Sequence, residues 1–539
     1  MDPLAGLRDA IEAAAAELAP AGSAAPALER PPRADLGDYS TNAAMLLAPA
    51  MKKAPREVAA DLGPLVEGRL DGIERIDVAG PGFLNLFLSD RWHRQAVAEI
   101  LAAGERFGAG AGGRGERVLI EFVSANPTGP LHVGGGRNAA FGDAVARILA
   151  FSGESVEREY YLNDAGGQVA LFAESIAARM RGNDPPPDGY AGDYVGELAT
   201  ELEAEGVGAD DLDELGRRGT EAMRRRIEAT LDRFGVRFDT WFSERSLREQ
   251  GMIEEAVDAL REAGRVYEAE GAVWFRTSED DKDRVLFRSN GEPTYFAVDV
   301  AYHRDKIMRG ADRLIDPLGA DHHGYVTRVR EALAVLGFDP ERFQAPIMQF
   351  VHLVEGGERA QMSKRSGEFV TLDELVDDIG VDAARFLMLQ RSHDKTLDLD
   401  LALARRQSQD NPVYYVQYAH ARIASILRKA AAEGSISDPD AAGSDGALAA
   451  PAEPSELALV RRLLELPGEV ATSGERLSPH RICAYATATA ADFHAFYRDC
   501  RVVGAGSGLE EARLGLCEAA RRTIATMLDL LGVSAPERM

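Results

Sequence analysis

Three groups of residues in this 539-residue sequence have types and spacings that suit chemistry. The first is PTGPLHVGGGR, residues 127–137. Gly134, Gly135 and Gly136 follow His132 at a predicted strand-to-helix turn, where backbone N–H groups and the positive end of a helix dipole favour a phosphate. His132 would donate to a phosphate oxygen from the same place. The plainer reading is a tight turn that needs glycine, with a capping histidine, and a glycine-rich turn alone does not separate the two. The second group is ERAQMSKRSGEF, residues 358–369, where Lys364 and Arg365 sit among small residues. Two cations on such a loop suit the charge that builds on a leaving pyrophosphate. The plainer alternative is a solvated basic turn. The third group is a pair of carboxylates in strand-like surroundings, Glu121 in LIEFV and Asp299 in YFAVDVAY. Carboxylates buried in strands are costly unless paired. Two of them on different strands of one sheet would hold a cation between them, and the rigid fork of a guanidinium matches such a pair. Pairing with an arginine of the chain itself is the alternative. GADHHGY (319–325) offers two histidines and an aspartate, but adjacent histidines rarely ligate one ion, and no further ligand is suitably spaced. No zinc site is expected there.

These groups need elements to position them. RVLIEFVSA (117–125) is an apolar, β-branched run and predicts a buried parallel strand. NAAFGDAVARILAFSG then predicts a helix closed by Gly153, and VEREYYL (156–162) a second strand. Strand, glycine-rich turn, helix and strand open a doubly wound nucleotide fold. Asp299 falls four residues after Tyr295 on a predicted strand, so alternation places both on one face. Further apolar segments follow at 312–318 and 346–354. Residues 170–290 read as a charged, helical insertion. Before the first strand, residues 1–30 are helical in pattern, 36–48 read as a turn and a short helix, and 72–88 as a two-stranded unit. The linker FGAGAGGRGE (107–116) places a boundary near 112. From about 397 the pattern is helical only, with Asn411 and Pro412 opening one helix and a low-complexity stretch at 431–456 that reads as a mobile loop or insertion. No fixed-period repeat is present.

The composition bounds the class. Hydrophobic residues at 45% and charged residues at 28% describe a folded chain of two to four domains. No apolar run is long enough to span a membrane, and MDPLAGLRDA lacks the basic start of a signal peptide, so a cytoplasmic protein without a membrane partner is expected. Cys483, Cys500 and Cys517 are too few and too spread for a disulfide framework and read as buried free thiols. The net charge of −27 opposes non-specific RNA binding, yet a local positive face can retain one partner.

In order along the chain, these segments resemble a class I aminoacyl-tRNA synthetase. HVGG (132–135) is similar to the HIGH motif and QMSKR (361–365) to KMSKS. EFVSANPTGPLHVGG, REYYLNDAGGQ, TYFAVDVAYHRDK, GADHHGY and QMSKRSGEFVTLDEL narrow the resemblance to the arginyl-tRNA synthetase family. LGDYSTNAA and GPGFLNLFL resemble that family's N-terminal domain, which touches the tRNA elbow. VYYVQYAHARI (413–423) resembles its helical anticodon-binding domain.

The resemblance implies an α/β fold: a doubly wound Rossmann-type catalytic domain at 113–396, a small α+β N-terminal domain at 1–112 and an all-α anticodon-binding domain at 397–539. It implies that ATP, with magnesium, and L-arginine react to arginyl-adenylate before transfer to tRNA, in a chain that is a monomer and needs no structural metal. His132 would stabilise the ATP phosphates, Gly134 would leave room for adenine, and Lys364 would bind the β- and γ-phosphates. Gly135, Met362, Ser363 and Arg365 would line the same nucleotide. Glu121, Tyr295 and Asp299 match guanidinium-recognising positions, Asn126 the holder of the α-amino or carboxylate end, and His322 lies near them. Asp38, Tyr39, Asn42, Tyr418 and Arg422 would face tRNA. Gly135 replaces the second histidine of HIGH, Gln361 the first lysine of KMSKS and Arg365 its last serine, so Arg365 would take part of the electrostatic load. Two other readings stay open. Another class I synthetase would lack the Glu121/Asp299 pair, and a non-catalytic tRNA-binding paralogue would have no need of His132 and Lys364.

Overall fold

Val118, Leu119 and Ile120 are buried on both faces, as a parallel strand covered by helices requires, and they make β1 (Arg117–Glu121) the central strand of the catalytic sheet. The structure is a computed structural model that describes residues 2–19, 26–278, 282–320, 324–359, 370–436, 451, 453–506 and 508–539. β1 is shorter than the run at 117–125 predicts, because the chain turns out of the sheet after Glu121. Helix α1 (Val133–Phe151) packs back over β1, and Gly142 permits the close approach: a Cβ there would stand 2.2 Å from the Phe122 ring. Gly153 lies just past the helix end, and β2 (Ser155–Leu162) pairs parallel to β1 with Glu159 opposite Glu121.

The stretch 170–290 is not a helical insertion alone. It holds helix α2 (Leu212–Arg233), the shorter helices Asp193–Ala204, Glu244–Glu249 and Met252–Glu262 and most of Gly167–Met180, but Thr240–Ser243 (β3) returns to the main sheet parallel to β2. Val266–Ala269, Ala272–Phe275 and Arg284–Phe287 then form an antiparallel sheet of their own. Four-residue strands give too little alternation to stand out from charged surroundings. The segment predicted as a strand at 294–302 is helix α3 (Tyr295–Met308), capped by the Thr294 side chain accepting from Ala297 N–H. It leads into β4 (Arg313–Ile315), which pairs with β1 on the side away from β2, and β5 (Phe343–Gln344) completes the sheet. The order β5-β4-β1-β2-β3 is wholly parallel, and chain connections diverge between β1 and β4, where such sheets bind ligands.

β6 (Val351–Glu355) pairs parallel with β7 (Leu397–Asp400), so the last part of the chain opens on a strand and is not purely helical from 397. Beyond it Asn411 caps helix α4 (Pro412–Ala432), accepting from Val413 N–H with Pro412 in the first turn, as the sequence predicts. Most of the low-complexity stretch lies outside the described residues. Helices Pro454–Leu464, Leu466–Glu475, α5 (His480–Asp499) and α6 (Leu509–Leu530) pack with α4 into a bundle. Cys483, Cys500 and Cys517 are buried free thiols within it.

The N-terminal module sets helices Pro3–Leu18, Ala43–Met51 and Pro55–Glu67 against an antiparallel sheet. Its hairpin, Ile73–Ala79 and Phe83–Leu88, is the predicted two-stranded unit, while Tyr39–Thr41, inside the segment read as turn and helix, is a further strand. The module rests on the helical bundle through Arg461, whose Nε donates to Asp38 at 2.7 Å, and through Arg522, which donates to the Leu101 carbonyl at 3.1 Å.

Candidate active site

The chain leaves β1 through Val123 and Ser124, both in the left-handed region at φ 67° and 41°. A β-branched residue rarely adopts this conformation, and such strain collects at functional sites. It is held because the Asn138 side chain accepts from Val123 N–H at 2.8 Å. The turn brings the Ser124 hydroxyl back to donate to Glu121 Oε1 at 2.8 Å. The other Glu121 oxygen accepts from Lys306 Nζ at 2.5 Å, and Nζ also donates to both oxygens of Asp316, at 2.9 and 3.1 Å. His303 continues the chain of contacts, with Nε2 bonded to Asp316 at 2.9 Å and Nδ1 to the Asp299 carbonyl at 2.8 Å. The Asp299 carboxylate lies 3.4 Å from Nδ1 and accepts from the Tyr325 hydroxyl. Behind this row Tyr302 donates to Glu159 at 2.6 Å, and Arg309 pairs with Glu159 at 2.8 Å.

The electrostatics follow from the contacts. Burial works against the Lys306 charge, but Asp316 and Glu121 hold its pKa above the ordinary lysine value. Burial likewise opposes an imidazolium at His303, yet its carboxylate partners lift its pKa to about 10. Burial and Asp316 push the Glu121 carboxyl up against the pull of Lys306, whereas His303 and Tyr325 outweigh burial at Asp299 and hold it low.

The two strand carboxylates of the sequence reading are therefore corrected in part. Glu121 ends a strand, but Asp299 is on helix α3, and the two do not face each other across a sheet. Tyr295 and Asp299 still share a face, through helical i, i+4 spacing, and His303 and Lys306 lie on the same side. Tyr295 is 70% exposed. Internal pairing is real for Glu121, with a lysine in place of the arginine considered. Asn126 is exposed and donates to Gln168 at 2.6 Å, and His322 lies outside the described residues.

At the start of α1, His132 is exposed in the N-cap position. None of Gly134, Gly135 and Gly136 has a left-handed φ, so turn geometry does not explain them. Gly136 is a packing requirement, because a Cβ there would stand 2.6 Å from Leu372 Cδ1. A Cβ on Gly134 would meet nothing within 4 Å. The turn is laced to the segment following the cationic loop: Val133 N–H donates to the Val370 carbonyl at 3.2 Å and Leu372 N–H to the Leu131 carbonyl at 2.8 Å. Met362, Ser363, Lys364 and Arg365 themselves lie outside the described residues. Arg137, buried one turn further along α1, donates to the carbonyls of Gln349, Ser392 and Lys395 at 2.7–3.0 Å, and burial lowers its pKa to about 10. It ties α1 to the segments flanking β6 and β7.

Three family models match the chain. They are "Arginyl tRNA synthetase N terminal domain" at residues 5–88, "tRNA synthetases class I (R), catalytic domain" at 96–184 and 202–422, and "DALR anticodon binding domain" at 416–539. The chain belongs to the arginyl-tRNA synthetase family. It is 46% identical over 526 residues to the arginine–tRNA ligase of Carboxydothermus hydrogenoformans, covering 95% of this chain and 94% of that one. To the arginine–tRNA ligase of Desulforudis audaxviator it is 46% identical over 550 residues, covering 99% and 97%. The solved arginyl-tRNA synthetase of Thermus thermophilus superposes with a TM-score of 0.78 at 28% identity, covering 99% of this chain and all of that one.

Within this synthetase fold the expected tRNA-facing residues part company. Asp38 and Tyr39 are buried, at 4% and 2% exposure, and do not face solvent. Asp38 accepts from Leu88 N–H at 2.7 Å, contacts His93 at 3.2 Å and pairs with Arg461, contacts that outweigh burial and keep its carboxyl below the usual range. Asn42 is half-buried, its side chain accepting from Ala27 N–H at 2.9 Å. Tyr418 and Arg422 sit together on α4, with Arg422 donating to the Tyr418 hydroxyl at 2.6 Å and lying over the rings of Tyr418 and Tyr497. Tyr414 stacks on Tyr418 at 6.2 Å, which extends a ladder of flat faces of the kind that unpaired bases stack on.

Sequence reasoning missed Lys306, Asp316, His303 and Arg137. The signal for His303 and Lys306 was their helical spacing from Asp299, invisible once the segment was read as a strand. Asp316, a carboxylate directly after the buried strand RLI, was legible by the same argument that found Glu121. Among the described residues no group of three or more His, Cys, Asp or Glu side chains could hold a metal ion, and no helix is long and apolar enough to cross a membrane.

Proposed function

We propose that this arginyl-tRNA synthetase family enzyme joins L-arginine to its tRNA in two steps, through arginyl-adenylate. The observation that carries the reading is the run of contacts from Glu121 through Lys306, Asp316 and His303 to Asp299, which starts at the end of β1, where the sheet's connections diverge. In this reading the guanidinium enters that row between Glu121 and Asp299, with Tyr295 at its exposed rim. Asn126 takes the α-amino or carboxylate end. The arginine carboxylate attacks the α-phosphorus of ATP in line, the bond to pyrophosphate breaks, and the terminal ribose hydroxyl of tRNA then displaces AMP from the carbonyl. Neither step needs a nucleophile from the chain; positioning and phosphate stabilisation supply the rate.

His132 and the open side of Gly134 receive the nucleotide, with Gly135, Met362, Ser363, Lys364 and Arg365 assigned to the same nucleotide and Lys364 to its phosphates. ATP enters as its magnesium complex, the ion held mainly by phosphate oxygens. Tyr418 and Arg422 meet tRNA bases on the helical bundle, Asn42 lies on the N-terminal side, and the protein works as a cytoplasmic monomer. Arginine-dependent ATP–pyrophosphate exchange, with and without cognate tRNA, tests the reading. Exchange stimulated by arginine alone among the amino acids, and dependent on tRNA, is expected. Exchange with another amino acid would overturn it.

A further inference from the structure

The row of side chains at the end of β1 contains more charge than one arginine needs, and its bonding shows how that charge is shared. Lys306 Nζ is fully buried and has three protons, and three close acceptor oxygens surround it: Glu121 Oε2 at 2.5 Å and the two Asp316 oxygens at 2.9 and 3.1 Å. His303 faces a carbonyl oxygen through Nδ1 and a carboxylate oxygen through Nε2, so both ring nitrogens donate, as only the imidazolium can. Among the described residues of this row, two cations, Lys306 and His303, thus stand among three carboxylates, Glu121, Asp316 and Asp299, which leaves one negative charge over.

The contacts also say where the excess lies. Both Glu121 oxygens are engaged, one by the ammonium and one by the Ser124 hydroxyl. Asp316 takes the rest of Lys306 and the shorter contact of His303. Among the described residues Asp299 has the looser 3.4 Å contact to an imidazolium already bonded to Asp316, together with the Tyr325 hydroxyl, and its side chain is the most open of the three, at 28% exposure against 15% for Glu121 and 4% for Asp316. We propose that Glu121 and Asp299 divide the recognition of the guanidinium: Asp299 supplies its counter-charge, while Glu121, its two oxygens already bonded to Lys306 and Ser124, supplies a fixed acceptor that sets its position. Lys306 is then a positioning residue for amino-acid selectivity. This rests on the arginine reading above and goes beyond it, because two carboxylates facing a cation would otherwise share its charge equally.

Citrulline, which keeps the shape of arginine without its charge, separates the two roles as a competitive inhibitor of arginine charging. The arginine KM and the citrulline Ki are measured for the full-length wild type, Asp299→Asn, Glu121→Gln, Lys306→Met and Lys306→Arg, alongside the ATP KM and the melting temperature. Asp299→Asn is expected to raise the arginine KM at least about tenfold and bring the arginine-to-citrulline preference close to one, as loss of a charge-assisted contact does. Glu121→Gln should raise the KM for arginine and the Ki for citrulline by similar factors and leave the preference within about threefold of wild type. Lys306→Met should raise the arginine KM with the ATP KM unchanged, and Lys306→Arg should recover part of the loss. A Glu121→Gln variant that loses as much preference as Asp299→Asn would overturn the proposal, and this pair decides it even where Lys306→Met does not fold. Lower melting temperature and kcat in Lys306→Met, without a selective rise in arginine KM, would make Lys306 a structural support only. A wild-type enzyme that fails to charge tRNA with arginine would count against the functional reading itself.

Discussion

At the end of β1 the charged groups are bonded to one another, while at the start of α1 the protein presents exposed His132 and Gly134, whose outer side is open. On the proposed function the difference follows from what each end has to hold. A guanidinium would bring a single charge into a partly buried place, and the cost of keeping carboxylates there is met by Lys306 and His303. A triphosphate brings its own charge and solvation, so backbone N–H groups and cations can meet it at the surface with little prepaid structure. Loss of charge should therefore slow the reaction at the phosphate end and weaken arginine binding at the other.

The largest effect should come from Lys364→Ala. Single-turnover formation of the adenylate should slow by at least about 100-fold, with arginine and tRNA affinity nearly intact. An unchanged rate would remove the cationic segment from the phosphate end altogether. Next, Asp299→Asn should raise the arginine KM at least tenfold, about 1.4 kcal/mol, and leave the ATP KM alone. Wild-type kinetics in that variant would reduce Asp299 to a paired core carboxylate and erase the contrast between the two ends.

Two smaller effects sharpen it. Gly136→Ala drives a methyl to within 2.6 Å of Leu372 Cδ1 and should lower stability by about 1–3 kcal/mol, read from denaturant midpoints. Gly134→Ala should stay within about 0.5 kcal/mol of wild type while raising the ATP KM, since its side faces open space that the proposed function gives to the nucleotide. Equal stability losses would mean that both glycines serve packing. Away from both ends, Asp38→Asn should cost about 1 kcal/mol at neutral pH. The folded protein depresses the Asp38 pKa, so this contribution is present above the ordinary value of 3.8 and fades as pH falls through the lower folded one. Melting temperatures of the two proteins should converge only in acid; convergence at neutral pH would mean that the Arg461 contact adds nothing.

What could be read from the sequence followed from how local each signal is. HVGG and β1 were legible because a buried parallel strand and its helix start leave contiguous marks. Helix α3 was not: YFAVDVAY alternates like a strand, and a helix buried on most sides has no polar stripe to betray its period. The Glu121–Lys306 pair joins residues 185 positions apart, so a sequence can announce the carboxylate and its need for a partner without naming the partner. Asp38, expected at tRNA from the resemblance of LGDYSTNAA, is instead buried against Arg461, a partner 423 residues away that no local signal announces.

That arginine has a temporal consequence. Arg461 follows Asp38 by 423 residues, and at about 5–20 residues per second a ribosome needs roughly 20–85 s to reach it. Throughout that interval the emerging N-terminal module must shelter a carboxylate whose final partner does not yet exist. His93, only 55 residues downstream and part of the same module, is made early and reaches Asp38 from within it. The nascent module thus carries its own provisional partner for Asp38, and the seam between the N-terminal module and the helical bundle is sealed only once Arg461 has been made.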